Sequence, residues 1–189
     1  GVFSHQMKSM YANPEEPSLT GHFMIVLDIS KIESNSMSLF YAPQDIPALM
    51  KEIYNIILLR TPDTIRLELA ECPALVLDTD RNRLTQILTN LLNNALKHTD
   101  EGVIRFGYTL TDTQVRFFVQ DTGEGIPADQ LEHIFSRFVQ LSNWTKGVGL
   151  GLAICRGLIE KMGGQIQVES QLGKGSTFYV ILPIKRVSL

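Results

Sequence analysis

Three asparagines within five positions, Asn90, Asn93 and Asn94, are the first residues here whose types and spacing could do chemistry. Asparagine is a mediocre helix former that prefers caps and turns, so a helix over 80–98 that carries three of them gives up local stability. At about 100° per residue, Asn90, Asn94 and Lys97 fall within an arc of about 60° and form one polar stripe. Ile87, Leu88, Leu91, Leu92, Ala95 and Leu96 take the other sides, where they can pack on a sheet. An amide oxygen in such a stripe can coordinate a hard cation such as Mg²⁺ together with phosphate oxygens and waters, while Lys97 adds a point charge for phosphate. A solvated polar helix face is the plain alternative.

Asp121 ends an apolar strand pattern and is followed at once by Gly123, Gly125 and Pro127, which read as a strand running into a tight turn. A carboxylate that only accepts hydrogen bonds suits an exocyclic amine such as that of adenine, and the two glycines leave room for a ring against backbone. An ordinary Asp-Gly turn explains the segment equally well in isolation. The run Gly147-Val148-Gly149-Leu150-Gly151-Leu152 lies between a polar stretch and a helix, where free amides and a helix N-terminus can receive phosphates. A further glycine pair frames Gly173-Lys174-Gly175-Ser176-Thr177-Phe178. Neither run fits a dinucleotide fingerprint or a Walker loop: no strand precedes Gly147, and Gly175 follows the lysine. In this order and spacing the four blocks read as a nucleotide site.

The elements that must position these blocks follow from periodicity. Apolar residues from Ser18 to Met37 recur at helical spacing, after a Pro14 to Pro17 break. Beyond Leu39 the pattern predicts a short strand, a helix over Asp45–Arg60, strands at Ile65–Ala70 and Leu75–Asp78, and a long helix over Asp80–His98. Strands at Gly102–Leu110 and Gln114–Asp121, a short helix at Pro127–Ile134, a helix at Gly149–Met162 and a closing pair at Gln165–Ser170 and Ser176–Pro183 complete it. Helices and adjacent strands mix without regular alternation, which predicts an α+β fold, a two-layer α/β sandwich preceded by an amphipathic helix. The division expected is a shortened helical region over 1–38 and a nucleotide-binding domain over 39–189.

With 189 residues, 44% of them hydrophobic, the chain can build a real core. A net charge of −3 with mixed signs gives no basic groove for nucleic acid and no face for an anionic membrane. No apolar run spans a membrane and no signal peptide is visible, so the expected compartment is cytoplasmic. Cys72 and Cys155 have no partner at metal-ligand spacing and read as reduced core thiols; His22 and His133 read as solvent-facing helix residues.

The ordered blocks resemble the catalytic domain of sensor histidine kinases, within the gyrase, Hsp90, histidine kinase and MutL superfamily, over roughly Leu39 to Ile184. The resemblance implies the Bergerat-type ATP-binding fold, with ATP and Mg²⁺ as cofactors. It makes Asn94 the metal ligand, places Asn90, Lys97 and His98 beside the phosphates or ribose, and makes Asp121 the adenine reader. It extends the nucleotide contacts to Gly123, Gly125, Ile126, Lys146, Gly147, Gly149, Leu150, Gly151 and Leu152, and gives Thr177 the part of holding an adenine-side water. Ile134 to Phe138 then match a phenylalanine box, with Val139 to Lys146 as a lid carrying Trp144. Ile29 to Glu33 look like the end of a dimerisation hairpin, and His5 is the candidate phospho-acceptor. Two departures stand out. Gln6 occupies the place of an acidic neighbour, and only 26 residues separate His5 from Ile32, too few for two long helices.

Such a kinase presents the ATP γ-phosphate to a histidine for later transfer to a response-regulator aspartate. The partners implied are ATP, the chain's own hairpin, a receiver domain and a second copy in the full-length protein, whose anchoring in a bacterial inner membrane stays open. Two alternatives stand beside this: a nucleotide-binding pseudokinase acting through protein contacts, and an ATP-hydrolysing clamp. The clamp would need a glutamate in the asparagine stripe to activate water.

Overall fold

The computed structural model describes residues 37–135 and 149–184. His5, all but the last residue of the helix expected over 18–37, residues 136–138 of the phenylalanine box, the lid with Trp144 and Lys146, and Gly147 lie outside the described residues.

Strand β1 (Ala42–Asp45) runs straight into helix α1 (Ile46–Leu58). Asp45 makes the junction: its carboxylate accepts the Ala48 N–H at 3.2 Å, and Pro47 in the first turn lacks an N–H that would go unsatisfied. Ile46, Leu49, Met50, Ile53 and Ile57 form the buried stripe of α1. After β2 (Ile65–Leu69) and β3 (Val76–Thr79) comes α2 (Arg81–Lys97), capped by Asp80. One Asp80 oxygen accepts the Arg83 N–H at 3.0 Å and the other the Phe40 N–H at 2.9 Å, so the cap also fastens the segment before β1 to the head of α2.

Strands β4 (Gly102–Leu110), β5 (Gln114–Asp121), β6 (Gln165–Gln171) and β7 (Gly175–Pro183) join β2 in a five-stranded sheet of order β2-β4-β5-β7-β6, while β1 and β3 pair separately. Only β2–β4 is parallel; every other neighbour is antiparallel. Side chains alternate faces along a strand, so Ile104, Phe106 and Tyr108 from β4, Val115, Phe117 and Val119 from β5, and Phe178, Val180 and Leu182 from β7 line one face. They pack beneath α1, α2 and α3 (Gly149–Lys161). The opposite face is polar, with Arg116 stacked 3.8 Å above the Tyr179 ring and Arg105 over Phe118. This is the two-layer α+β sandwich that periodicity indicated.

One element differs. The helix expected over 127–134 is a 3₁₀ turn at Ala128–Gln130 followed by a second turn. Gln130 N–H bonds Pro127 C=O and His133 N–H bonds Gln130 C=O, so the hydrogen bonds step back three residues and no α-helical ladder starts. His133 is exposed there, on a turn and not on a helix, and Ile134 is buried.

Candidate functional site

The strand registers set one row across the sheet: Leu67, Ile104, Asp121, Ser176, Ser170. Residues directly opposite share a face, so the row turns from apolar to polar at Asp121 on the face that meets the helices. Asp121 and Ser176 are each only 6% exposed. Asp121 Oδ1 accepts the Gly123 N–H at 2.9 Å. Burial pushes its carboxyl above the ordinary range; the N–H groups of Gly123 and Ser176 and the nearby His98 pull it back down, while Glu124 adds to the rise. Ser170 Oγ accepts the Ile126 N–H at 2.7 Å, donates to Gly175 C=O at 3.0 Å and lies 2.8 Å from Ser176 Oγ.

The C-terminal end of α2 meets this row. Asn94, 7% exposed, keeps its Oδ1 buried with no hydrogen-bond partner among the described residues. An orphaned buried carbonyl oxygen is costly unless something arrives to use it, so the solvated-face alternative does not apply to Asn94. Lys97 is exposed. His98 caps the helix, its Nδ1 lies 2.6 Å from Glu124 Oε1, and its carbonyl accepts the Glu124 N–H at 3.2 Å. The loop after Asp121 is thereby clamped to the helix end that carries Asn94 and Lys97. Asn93, on another side of α2, is exposed and bonds Arg60.

The glycines do different work from the ring-facing role their spacing suggested. A Cβ on Gly123 would stand 2.2 Å from the His98 carbonyl oxygen, and one on Gly125, at φ +73°, would stand 2.2 Å from that of Gln171. Gly175, at φ +121°, comes equally close to the Asp121 carbonyl. The chain's own backbone takes the room these residues open, which locks the α2 end, the loop after β5 and the β6–β7 turn together. At Gly151, by contrast, a Cβ would meet nothing within 4 Å among the described residues, which leave open space in the first turn of α3.

Other expected contacts move into the core. Ile126 is 1% exposed with its N–H committed to Ser170, and Leu152 is 2% exposed, so neither offers a free polar group of its side chain or a free face. Asn90 turns its amide toward Cys155 Sγ at 3.8 Å, joining α2 to α3. Cys155 is fully buried, its thiol pushed up to about 12 by desolvation, whereas Cys72 is half-buried and so not a core thiol. Cavities open at the head of α2 and at the Asp121 end of the sheet. The larger, about 510 Å³, borders Phe40, Asp80 and Arg83 at the head of α2, about 25 Å along the helix from Lys97. The smaller, about 300 Å³, lies at the Asp121 end of the sheet, bordered by Ser170, Lys174, Ser176 and Thr177.

Residues 79–186 match the model of the histidine kinase-, DNA gyrase B- and HSP90-like ATPases, more than half of the chain. The chain belongs to this family. Among curated relatives, it is 37% identical to the sensor protein GacS of Pseudomonas syringae over 85% of this chain and 19% of that protein. It is 37% identical to the aerobic respiration control sensor protein ArcB of Escherichia coli over 82% and 21%, and 42% identical to the alginate biosynthesis sensor protein KinB of Pseudomonas aeruginosa over 64% and 20%. The chain spans about a fifth of the length of these relatives. Among solved structures, full-length ShkA in complex with AMPPNP aligns at TM-score 0.79 and 32% identity, over 90% of this chain and 38% of that one. The catalytic domain of the histidine kinase ThkA aligns at TM-score 0.65 and 30% identity, over 77% and 96%.

Within this ATPase fold, the structure brings Asn94, Lys97, His98, Asp121, Gly123 and Gly125 to one corner, with Gly149, Leu150 and Gly151 in the first turn of α3. The hydroxyl that the strand register sets opposite Asp121 is that of Ser176, one residue before Thr177. Thr177 pairs with Gln120 and Glu169 on the sheet's other face, and Ser176 stands directly opposite Asp121. The signal was available in the strand alternation that follows Gly175. Thr99 was also missed: it is 2% exposed, its Oγ1 has no hydrogen-bond partner among the described residues, and it borders Gly123.

Proposed function

We propose that this chain is the catalytic part of a two-component sensor histidine kinase, which binds Mg·ATP and presents its γ-phosphate to a histidine. The observation that carries the reading is the junction of a buried, acceptor-only carboxylate at Asp121 with the orphaned amide oxygen of Asn94, tied together through His98 and Glu124. Asp121 accepts the exocyclic amine of adenine, with the Ser176 hydroxyl beside it in place of Thr177. Asn94 Oδ1 would hold Mg²⁺, and no cluster of three His, Cys, Asp or Glu among the described residues competes with it. One protein oxygen with phosphates and waters is an ordinary ligand set for that ion, which supplies charge neutralisation when bound. Lys97 and the amides of the first turn of α3 receive phosphate oxygens, with Gly151 leaving room for them. Lys146 and Gly147 are assigned to the same phosphates by the resemblance alone.

Transfer then moves the γ-phosphoryl group from the β–γ bridging oxygen to an imidazole nitrogen, with ADP as the leaving product. Such a transfer has a loose transition state, so positioning and charge neutralisation by these residues supply most of the catalysis. The nucleophile comes from a dimerisation hairpin, the region to which residues 1–38 are assigned, and a receiver aspartate in a response regulator takes the phosphoryl next. Among the described residues no helix is long and apolar enough to cross a membrane; the full-length protein is assigned a cytoplasmic kinase module.

The test is calorimetry with ATP and ADP, with and without Mg²⁺, followed by γ-labelled ATP. Because Gln6 cannot act as a base for His5 and the hairpin is short, the expected result is nucleotide binding with little self-labelling. Acid-labile, alkali-stable label should appear on an intact hairpin added in trans. Strong labelling of this chain that vanishes in His5→Ala would overturn the inactive hairpin, and absence of nucleotide binding would overturn the whole reading.

A further inference from the structure

A serine hydroxyl has one proton to donate and two lone pairs to accept with. Ser170 Oγ has three polar neighbours within hydrogen-bond distance: Ile126 N–H at 2.7 Å, Gly175 C=O at 3.0 Å and Ser176 Oγ at 2.8 Å. The amide can only donate and the carbonyl can only accept. One arrangement satisfies all three contacts: Ser170 takes the Ile126 proton on one lone pair, gives its own proton to Gly175, and takes the Ser176 proton on its other lone pair. If Ser170 donated to Ser176 instead, its contact with the Gly175 carbonyl would carry no proton.

The consequence falls on Ser176, which lies between Ser170 and Asp121 in one cross-strand row. Its single proton points to the edge strand, so toward Asp121 it shows lone pairs only. We infer that Ser170 is a positioning residue for base selectivity: by holding the Ser176 proton it makes the Asp121–Ser176 end of the row acceptor-only, suited to a 6-amino purine and hostile to a 6-oxo purine. The inference rests on the nucleotide reading above. Ser170 also joins the loop after β5, through Ile126, to the β6–β7 turn, through Gly175, so the direction of the relay is held by backbone on both sides. The selectivity is of the demanding kind, because an oxo group facing two acceptors finds no proton and stays unpaired.

The experiment measures Kd by calorimetry for Mg·ATP and Mg·ITP, which differ at purine position 6, in wild type, Ser170→Ala, Ser170→Thr, Ser176→Ala and the double alanine variant. The expected wild type prefers ATP. Ser170→Ala frees the Ser176 proton and should cut the ITP to ATP ratio of Kd about tenfold, the equivalent of about 1.4 kcal/mol. Ser170→Thr keeps a hydroxyl and should restore the ratio. In a Ser176→Ala background Ser170→Ala should change the ratio no further, because the two act as one unit. Equal weakening of both nucleotides in Ser170→Ala would show a residue that only braces the loop, and overturns the inference. So does an intact ratio in Ser176→Ala, which decides the matter even if Ser170→Ala does not fold. A wild type that binds neither nucleotide overturns the nucleotide reading, and this inference with it; ATP binding with an unshifted ratio overturns the relay alone.

Discussion

Asp121→Asn should weaken ATP and strengthen the empty protein at the same time. The carboxylate is 6% exposed, and burial raises its pKa despite two N–H donors and the neighbouring His98. A raised folded-state value means that the ionised form carries a cost in the fold, full above that folded value and relieved as protonation sets in. An asparagine keeps an oxygen for the Gly123 N–H, bonded at 2.9 Å in the wild type, and carries no charge to bury. The variant should therefore melt higher than wild type at neutral pH. That gap should close as pH falls from the raised value to below the ordinary carboxylate range, where the wild-type group is neutral both folded and unfolded. Binding moves the other way. A hydrogen bond to a charged acceptor is worth about 1.5–3 kcal/mol, so ATP affinity should fall by about 10- to 150-fold. Thermal melts across pH with calorimetric titration of ATP provide both readings on one preparation. A variant that melts lower at neutral pH, or one that binds ATP like wild type, would refute the account of Asp121 as a strained buried reader of the base.

Asn94→Ala removes the orphaned oxygen and installs a better helix former, so it should leave the melting temperature of the empty protein unchanged or higher while abolishing the Mg²⁺ dependence of ATP binding. Gly125→Ala places a side chain at φ +73° with its Cβ 2.2 Å from the Gln171 oxygen. The left-handed conformation alone costs about 1–2 kcal/mol, so denaturant melts should show at least that loss, with nucleotide binding lost as the β6–β7 turn moves away. Cys155, fully buried with its thiol pushed up to about 12, should resist alkylation in the native protein. Mass spectrometry after a timed iodoacetamide pulse should find label on Cys72 first, and on Cys155 only when the protein is unfolded.

Element types were legible because their causes are local. Asp45 and Asp80 announce the starts of α1 and α2, and apolar alternation marks β4, β5 and β7. The corner that unites Asn94 with Asp121 was legible as residue types in order, since each block carries its own chemistry. What stayed hidden depends on register. The choice of Ser176 over Thr177 is fixed by which residue lands opposite Asp121 across β5 and β7, and a slip of one residue exchanges the two faces. The duties of Gly123, Gly125 and Gly175 were hidden for the same reason. The atoms that would collide with their Cβ positions lie 25 to 54 positions away in the chain, in His98, Gln171 and Asp121. The turns over 127–134 defeated periodicity because Ala128, Leu131 and Ile134 keep an apolar spacing of three, which a 3₁₀ turn and an α-helix share.

The Ile126 N–H is held by the side chain of Ser170 and by no ladder partner, and that bond has a bearing on time. Its two ends are 44 positions apart, and β6, which carries Ser170, is an edge strand of the sheet. Contacts of such separation form only after the intervening chain has closed its loop, so the corner around Asp121 is completed late in folding, when the edge strand docks. It is also a place where the folded protein can open without unfolding, since an edge strand has only one neighbour to release. Exchange of that single amide with deuterium therefore clocks the docking of β6. A ligand that binds only the closed corner would slow the exchange in proportion to its occupancy.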